Sequence, residues 1–388
     1  FDNLIDVGAP GRKKIRVAIP NFALETATKG VSTQEAQNLN TRIKDILGFT
    51  NWFFFIPSDA FVSTPNVAAS QFVPEHWSVI KTDYVIFGKI KPSENNLFSI
   101  ELRLFDVKSK SMLLGKIYTN LNLKIADIAL KRFGDVLIEK LTGTPGPFMS
   151  HIAFVGRDSA KSRTSDIYIC DFDGSNVIQI TNNKVINLSP TWSPDGTKIA
   201  YTSFYSGKPE IYQYDLTTKK TLKLTSGASN SSGANWNSTG DTIAFSSTSE
   251  SGETHIYSMS PDGSNKSLLL GKSEIEVEPS YSPNGDYLAY TSNKYGKPMI
   301  FVLNLKSNDT TRLTYVGWYN ASATWDSDSK IVAFASYDRE IDRWDLFKIN
   351  VDGSNLERLT LKEGDNEKPS FSPDGRFIAF QSNRGAKN

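Results

Sequence analysis

Cysteine and histidine are the scarce residues of this 388-residue chain, at one and three. A single cysteine, Cys170, excludes an internal disulfide. In the stretch DIYICDFDG it reads as a small buried residue on a strand. His76, His151 and His255 are scattered without metal-ligand spacing, which argues against a zinc site. Net charge is lacking too: 43 basic and 42 acidic residues leave +1. That balance disfavours a protein that grips nucleic acid or an anionic membrane by charge. No apolar run approaches the roughly 20 residues needed to span a bilayer, so direct membrane insertion is not expected. The longest candidates, such as WFFFI at Trp52 to Ile56, are strand-sized. No G-x-S-x-G pentapeptide is present, and the histidines have no convincing Ser and Asp setting. Catalysis is therefore not expected, and no cofactor or metal is called for. The chain begins at Phe1 rather than Met, as expected of one processed by signal-peptide removal or otherwise trimmed.

What is abundant is a repeat. SPTWSPDGTKIAYTS, from Ser189 to Ser203, returns as EPSYSPNGDYLAYTS and KPSFSPDGRFIAFQS. The turn residues Gly196, Gly240, Gly285, Ser329 and Gly375 are spaced by 44, 45, 44 and 46 positions. An aromatic precedes each turn: Trp192, Trp236, Tyr281, Trp325 and Phe371. A hydrophobic-Ala-aromatic triplet follows each turn, at Ile199, Ile243, Leu288, Val332 and Ile378, and a sixth triplet stands at Ile152. A third element recurs as DIYICD, EIYQYD, HIYSMS, MIFVLN and DLFKIN, and a fourth is marked by QIT, KLT, RLT and RLT. Four short strands per unit of about 40–50 residues is the signature of a β-propeller. The small Ala lets adjacent sheets approach closely, and the aromatics fill the wider gap further out. Six triplets predict six blades over residues 147–388. The first unit lacks its inner strand and the last stops after its second. The last blade is thus expected to be incomplete, its closing segment missing or diverged.

Residues 1–146 show no propeller pattern and read as a small mixed α/β domain. KKIRVAIPNF, WFFFI, DYVIFGKI and LFSIELRLFDV read as strands, the last alternating Phe98, Ile100, Leu102 and Leu104 on one face. Ser32 and Glu35 have capping-box spacing before a helix that ends at Gly48. A second helix runs from Ile125 to Leu141, with Ile125, Ala129, Phe133, Val136 and Leu141 as its apolar stripe. TGTPGPF reads as the linker.

DFDGSN at Asp171 to Asn176 has the look of a calcium loop. It lacks the distal Glu of an EF-hand, that place being Asn182, and PDGSN and VDGSN recur in the same position, so a turn is the expectation. Trp344-Asp345 does not recur, and a WD40 assignment fails on spacing. The informative positions are the approaches to the innermost strands, which should converge on one mouth of the channel. Ser189, Ser232, Glu278, Tyr319, Asn320 and Glu367 gather there, and loops on a rigid scaffold are where recognition usually sits. At the other extreme, FDNLIDVGAPG combines Phe1, Leu4, Ile5 and Val7 with Asp2 and Asp6 before a Pro-Gly break. It reads as a mobile or strand-adding arm, or as an edge strand of the first domain.

The chain resembles the TolB family of the Tol–Pal system. RVAIPNF, DYVIFGKI with LRLFDV, and the junction LTGTPGPFMSHIAFVGR carry the likeness, with SPTWSPDGTKIAYTSFYSGKPEIY, VEPSYSPNGDYLAYTSNKYGKPMIF and GWYNASATW in the propeller. SGANWNSTG and DSDSK depart from the SPDG turn. The resemblance implies a non-enzymatic periplasmic scaffold. Its propeller mouth would bind the peptidoglycan-associated lipoprotein Pal through the six mouth residues, and its N-terminal segment would engage TolA. Outer-membrane integrity and cell division would be the processes served. A propeller module that binds carbohydrate or a small ligand, or an inactive protease-like propeller, is the alternative reading.

Overall fold

The computed structural model describes residues 4–6, 14–25, 31–62, 72–159, 162–271, 275–361 and 364–384. The chain forms two compact units, Gly8–Ser150 and His151–Asn388, the second joined by the N-terminal residues up to Val7.

The first unit is built on a six-stranded mixed sheet. Its path runs Phe53–Phe55, Ile15–Ala18, Tyr84–Pro92, Phe98–Asp106, Ser111–Leu121, with Ala23–Leu24 beside Tyr84–Pro92. The early pairings are parallel and the later ones antiparallel. Helix α1 (Thr33–Gly48) starts where the sequence predicts. Ser32 Oγ accepts from Glu35 N at 3.2 Å, and Glu35 Oε2 accepts from Ser32 N at 2.6 Å, so two orphan donors are satisfied reciprocally. A short α2 (Pro74–Ser78) follows. Helix α3 (Leu123–Thr142) is capped by Asn122, whose Oδ1 accepts from Ile125 N at 3.0 Å.

The stripe expected on α3 holds in part: Ala129 and Phe133 are buried and Val136 and Leu141 half-buried. Ile125 is 44% exposed, and the buried face consists of Ala126, Ala129, Leu130, Phe133, Leu137 and Ile138. Phe98, Ile100, Leu102 and Leu104 are all buried, as their alternation implies. The segment read as a linker is tied down. Asp135 accepts from Phe148 N at 2.7 Å and from Met149 N at 3.1 Å. Phe148 is fully buried against Gly134, where a Cβ would come within 2.7 Å of its ring.

The second unit is a propeller. Four sheets have four strands in the order expected from the repeat, inner to outer: Asn187–Trp192 to Lys220–Lys223, Ser231–Trp236 to Ser267–Leu270, Glu276–Tyr281 to Thr310–Arg312, and Tyr319–Trp325 to Glu357–Arg358. A fifth sheet consists, among the described residues, of His151–Gly156, Asp166–Asp171 and Ile178–Gln179, without an inner strand. The last repeat unit contributes a hairpin, Asn366–Phe371 with Phe377–Ser382. Leu4–Asp6 joins it antiparallel to Phe377–Ala379, in the place of a third strand. The N-terminal segment is therefore neither an edge strand of the first domain nor a free arm over Leu4–Asp6.

The alanines do what the repeat suggests. Ala200 and Ile211 pack against Ala234, Trp236, Ile243 and Phe245 of the next sheet. Ala289 packs likewise against Ala323, Trp325 and Val332. Burying each such large side chain contributes roughly 1.5–3 kcal/mol. The threonines that follow the fourth strands also have a clear purpose. Thr181, Thr225, Thr314 and Thr360 each accept, through Oγ1, from the backbone N–H of Ile167, Ile211, Ile300 and Leu346 on the third strand, at 2.8 to 3.0 Å.

Turn chemistry explains the departures from SPDG. In the standard turn Ser193 Oγ donates to Asp195 Oδ1 at 2.6 Å and accepts from Lys198 N at 2.9 Å, with Gly196 at φ 69°. Asn237 and Asp326 replace that serine in the variant turns. Asn237 Oδ1 accepts from Gly240 N and Thr242 N, and Asp326 Oδ1 from Lys330 N and Ile331 N. The DFDGSN segment is a turn of the same economy. Asp173 Oδ1 accepts from Ser175 N at 3.1 Å, and Asp171 Oδ2 accepts from Asn176 Nδ2 at 2.7 Å. Among the described residues no group of three His, Cys, Asp or Glu side chains is arranged to hold a metal.

Candidate partner-binding site

Antiparallel connectivity fixes which loops share a face. Inner strands start at one mouth of the channel, the upper. The connections from second to third strand, and from fourth strand to the next inner strand, lie at that same mouth. The turns after the inner strands lie at the other, the lower.

Each inner strand has one residue with positive φ near its start: Ser189 (51°), Gly233 (64°), Glu278 (55°), Ser322 (56°) and Lys368 (53°). The pairing with the second strand shifts register around these residues, which makes them β-bulges. For a non-glycine residue the left-handed conformation costs on the order of 1 kcal/mol, and the ring of bulges supplies contacts in return. Gly233 N donates to Thr202 Oγ1 at 3.2 Å and Glu278 N to Ser246 Oγ at 3.1 Å, each to the preceding sheet. Glu278 Oε2 accepts from Ser322 N at 2.7 Å, and its Oε1 accepts from Lys368 Nζ at 2.8 Å. Glu278 thus ties three inner strands together, reaching Lys368 two units further on. Burial pushes its carboxyl up, but Lys368 and the Ser322 bonds outweigh this and hold it below the usual range.

The six residues singled out from the sequence do not form one set. Ser189, Ser232 and Tyr319 are exposed, and Glu278 and Glu367 are half-buried. Asn320 is fully buried. Its Nδ2 donates to Thr314 Oγ1 at 2.7 Å and to Val316 O at 3.1 Å, a strut under the loop rather than a surface group. Its counterparts Asn187, Ser231, Glu276 and Asn366 are equally buried at the same strand position. Burial pushes the Glu367 carboxyl up, and Asp365 and Glu278 reinforce this against Lys368. Burial also raises the Tyr319 phenol, with Glu278 adding to it against Lys368.

Several residues of the upper mouth were missed. Trp318 is 43% exposed, with Lys297 Nζ 3.8 Å and Arg339 4.9 Å from its ring centre. Tyr315 is exposed, with Arg312 over its ring at 4.4 Å. Tyr319 meets Trp344 edge-on at 5.3 Å, and Tyr205 and Tyr295 are exposed on the loops from second to third strand. A signal existed in the repeated GKP of SGKPEIY and YGKPMIF. Its lysine holds the following loop, Lys208 by donating to the Gly227 and Ser229 carbonyls and Lys297 through Trp318. Of the N-terminal set, Leu4, Ile5 and Asp6 pair with Ala379, Ile378 and Phe377. Phe1, Asp2 and Val7 lie outside the described residues. Among the described residues no helix is long and apolar enough to cross a membrane, which says nothing of β-barrels.

Comparison with known proteins accords with this architecture. Residues 138–388 match the family described as the TolB beta propeller domain, and residues 3–113 match the TolB amino-terminal domain. The Tol-Pal system protein TolB of Desulfosudis oleivorans is 36% identical over 56% of this chain and 49% of its own length. The protein TolB homolog of Chlorobium chlorochromatii is 33% identical over 74% of this chain and 63% of its own. The chain thus spans about half to two thirds of the length of these relatives. The crystal structure of TolB from Acinetobacter baumannii superposes with a TM-score of 0.80 at 26% identity, covering 96% of this chain and 89% of that one. With both of its units matched in order, the chain belongs to the TolB family of the Tol–Pal system.

Proposed function

We propose that the chain is a non-enzymatic, periplasmic scaffold of the Tol–Pal system, built on a six-bladed propeller whose upper mouth docks a Pal-like lipoprotein. The observation that carries this reading is the aromatic and cationic rim of the upper mouth. Trp318 stands there between Lys297 and Arg339, Tyr315 beside Arg312 and Tyr295 beside Lys294, with Tyr319 exposed on the same face. Exposed aromatics flanked by Arg on a rigid scaffold have the composition of binding hot spots. Tyr319 is the proposed anchor, and the exposed Ser189 and Ser232 lie on the same approach. Glu367 and the Glu278–Lys368 pair set charge and register at the channel entrance.

The N-terminal segment, from Phe1 to Val7, is proposed as the contact for a TolA-like inner-membrane protein. Leu4–Asp6 stands at the edge of its sheet, so one side remains for an added strand. Support of outer-membrane integrity and cell division would follow from linking the two partners. Titration calorimetry with a soluble Pal-like domain tests the docking. Tyr319→Ala should weaken binding by about 2 kcal/mol, with the fold intact by circular dichroism. Unchanged affinity for both Tyr319→Ala and Trp318→Ala would reject this face. Deleting residues 1–7 should abolish binding of a TolA C-terminal domain and spare Pal.

A further inference from the structure

Four cations of the upper mouth hold their charge against aromatic rings rather than against carboxylates. Lys294 and Lys297 stand on the connection from Tyr287–Ser292 to Met299–Asn304, and Arg312 ends the fourth strand of the same sheet. Arg339 stands on the matching connection of the next sheet, from Ile331–Asp338 to Arg343–Asn350. Lys297 Nζ lies 3.8 Å and the Arg339 guanidinium 4.9 Å from the Trp318 ring centre. The Arg312 guanidinium lies 4.4 Å from the ring centre of Tyr315, and Lys294 Nζ 5.5 Å from that of Tyr295. All three rings are exposed, Tyr315 by 72%.

Among the described residues none of these four cations forms an ion pair. Other cations of the propeller are paired: Lys306 meets Asp286 at 2.6 Å, Lys223 meets Glu210 at 2.6 Å and Lys368 meets Glu278 at 2.8 Å. Carboxylates do stand on the Arg339 connection, but two of them are engaged locally. Asp338 Oδ1 accepts from Glu340 N at 2.9 Å, and Asp342 Oδ1 accepts from Tyr337 Oη. A cation over an exposed ring gains only about 0.5–1 kcal/mol, and its charge stays open to a partner.

We propose that this arc of the upper mouth recognises an acidic protein surface, whose aspartate and glutamate side chains meet Lys294, Lys297, Arg312 and Arg339 while the three rings supply apolar contact. The inference rests on the upper mouth being the docking face, and adds the chemistry that the partner must present there. Charge complementarity selects the occupant. A guanidinium offers a carboxylate two parallel hydrogen bonds, and a lysine adds a point charge. A nucleobase would need a free ring face to stack on, and at Trp318 a lysine and an arginine already stand against the ring. Four charges on one arc of a chain whose net charge is +1 suit a local acidic patch better than a continuous phosphate backbone.

Two measurements on the full chain test this. Hexaglutamate is titrated at low salt while the Trp318 indole N–H is followed by NMR, its signal assigned by Trp318→Phe. The signal should shift saturably, with a dissociation constant on the order of 1 mM. The shift should vanish in the double variant Lys297→Gln, Arg339→Gln and in about 0.5 M sodium chloride, and hexalysine should not produce it. Association of a soluble Pal-like domain is then timed by stopped flow. The double variant should slow it on the order of tenfold at low salt and flatten its salt dependence. Lys330→Gln, which removes a charge paired with Asp328 in a lower-mouth turn, should not. No saturable shift with hexaglutamate, a shift that persists in the double variant, or tighter binding of oligothymidylate than of hexaglutamate overturns the proposal. So does a Pal-like domain that associates equally fast with wild type and double variant, a result that leaves the docking face itself standing. Hexaglutamate binding without any binding of the Pal-like domain would reject that partner and support the acidic preference.

Discussion

Asn320 and Tyr319 are neighbours in sequence with opposite fates, and the difference is measurable. Asn320→Ala removes the donor to Thr314 and Val316. It should cost about 1–3 kcal/mol in urea unfolding. Tyr319→Ala loses a partly exposed ring and should change stability by less than about 1 kcal/mol. The two glutamates of the upper mouth should also part company with pH. Glu278 is held low by Lys368 and Ser322 against the effect of burial. Its contribution is therefore fully present above its unfolded pKa and lost as pH falls through the lower folded value. The melting-temperature difference between wild type and Glu278→Gln should be largest near neutrality and vanish in strong acid. For Glu367 the sign reverses, because burial raises its carboxyl. Glu367→Gln should raise the melting temperature at neutral pH, and that gain should disappear as acid protonates the wild-type residue.

Among the elements, the fourth strands are short, two to four residues, and yet held in register. The threonine that follows most of them explains this. Thr360 accepts from Leu346 N at 2.9 Å and donates to Asp345 Oδ1 at 2.8 Å. Asp345 is further engaged by Arg343 and Arg358. Thr360→Val preserves shape and removes both bonds, and should cost about 1–3 kcal/mol, read by chemical denaturation. The N-terminal strand makes a second case. Removing residues 1–6 uncovers the edge of Phe377–Ser382, whose backbone groups then face solvent. Hydrogen exchange at Phe377–Ala379 should quicken and the thermal midpoint should fall. Unchanged exchange there would mean that the pairing contributes nothing in solution.

For the whole molecule, the propeller separates two mouths by the length of its six-residue inner strands, about 20 Å. The upper mouth carries exposed aromatics beside Lys297 and Arg339, and the lower carries the tight turns that follow the inner strands. Substitutions should accordingly sort by face. Trp318→Ala should weaken a Pal-like partner, and Asn235→Ala, which removes the acceptor for Tyr281 N at the lower mouth, should lower stability and leave that affinity unchanged. Weakened binding of the Pal-like partner in Asn235→Ala, with the fold intact, would show the two mouths to be coupled. The Glu278 bridge is the feature that would carry such coupling, because it ties three inner strands into one unit.

Everything local was legible in the sequence. The turn spacing, the Ala triplets, the strand alternation at Phe98 to Leu104 and the Ser32–Glu35 cap each depend on residues a few positions apart. They foretold the propeller, the mixed domain and the start of α1. What depended on distant partners was not legible. The buried face of α3 was legible only in part, at Ala129 and Phe133, because α1 and the sheet pack on it together and decide which side of a broadly apolar helix is covered. Asn320 passed for a surface group because a polar residue announces nothing about the hydroxyl and carbonyl waiting to satisfy it. Leu4–Asp6 gave no hint of a partner over 370 residues away. Glu278 and Lys368 lie 90 positions apart and meet only because inner strands from several sheets face one channel. Sequence sets what each segment can form, since propensity and turn chemistry act over a few residues. Closure of the sheets around an axis decides which of those surfaces meet.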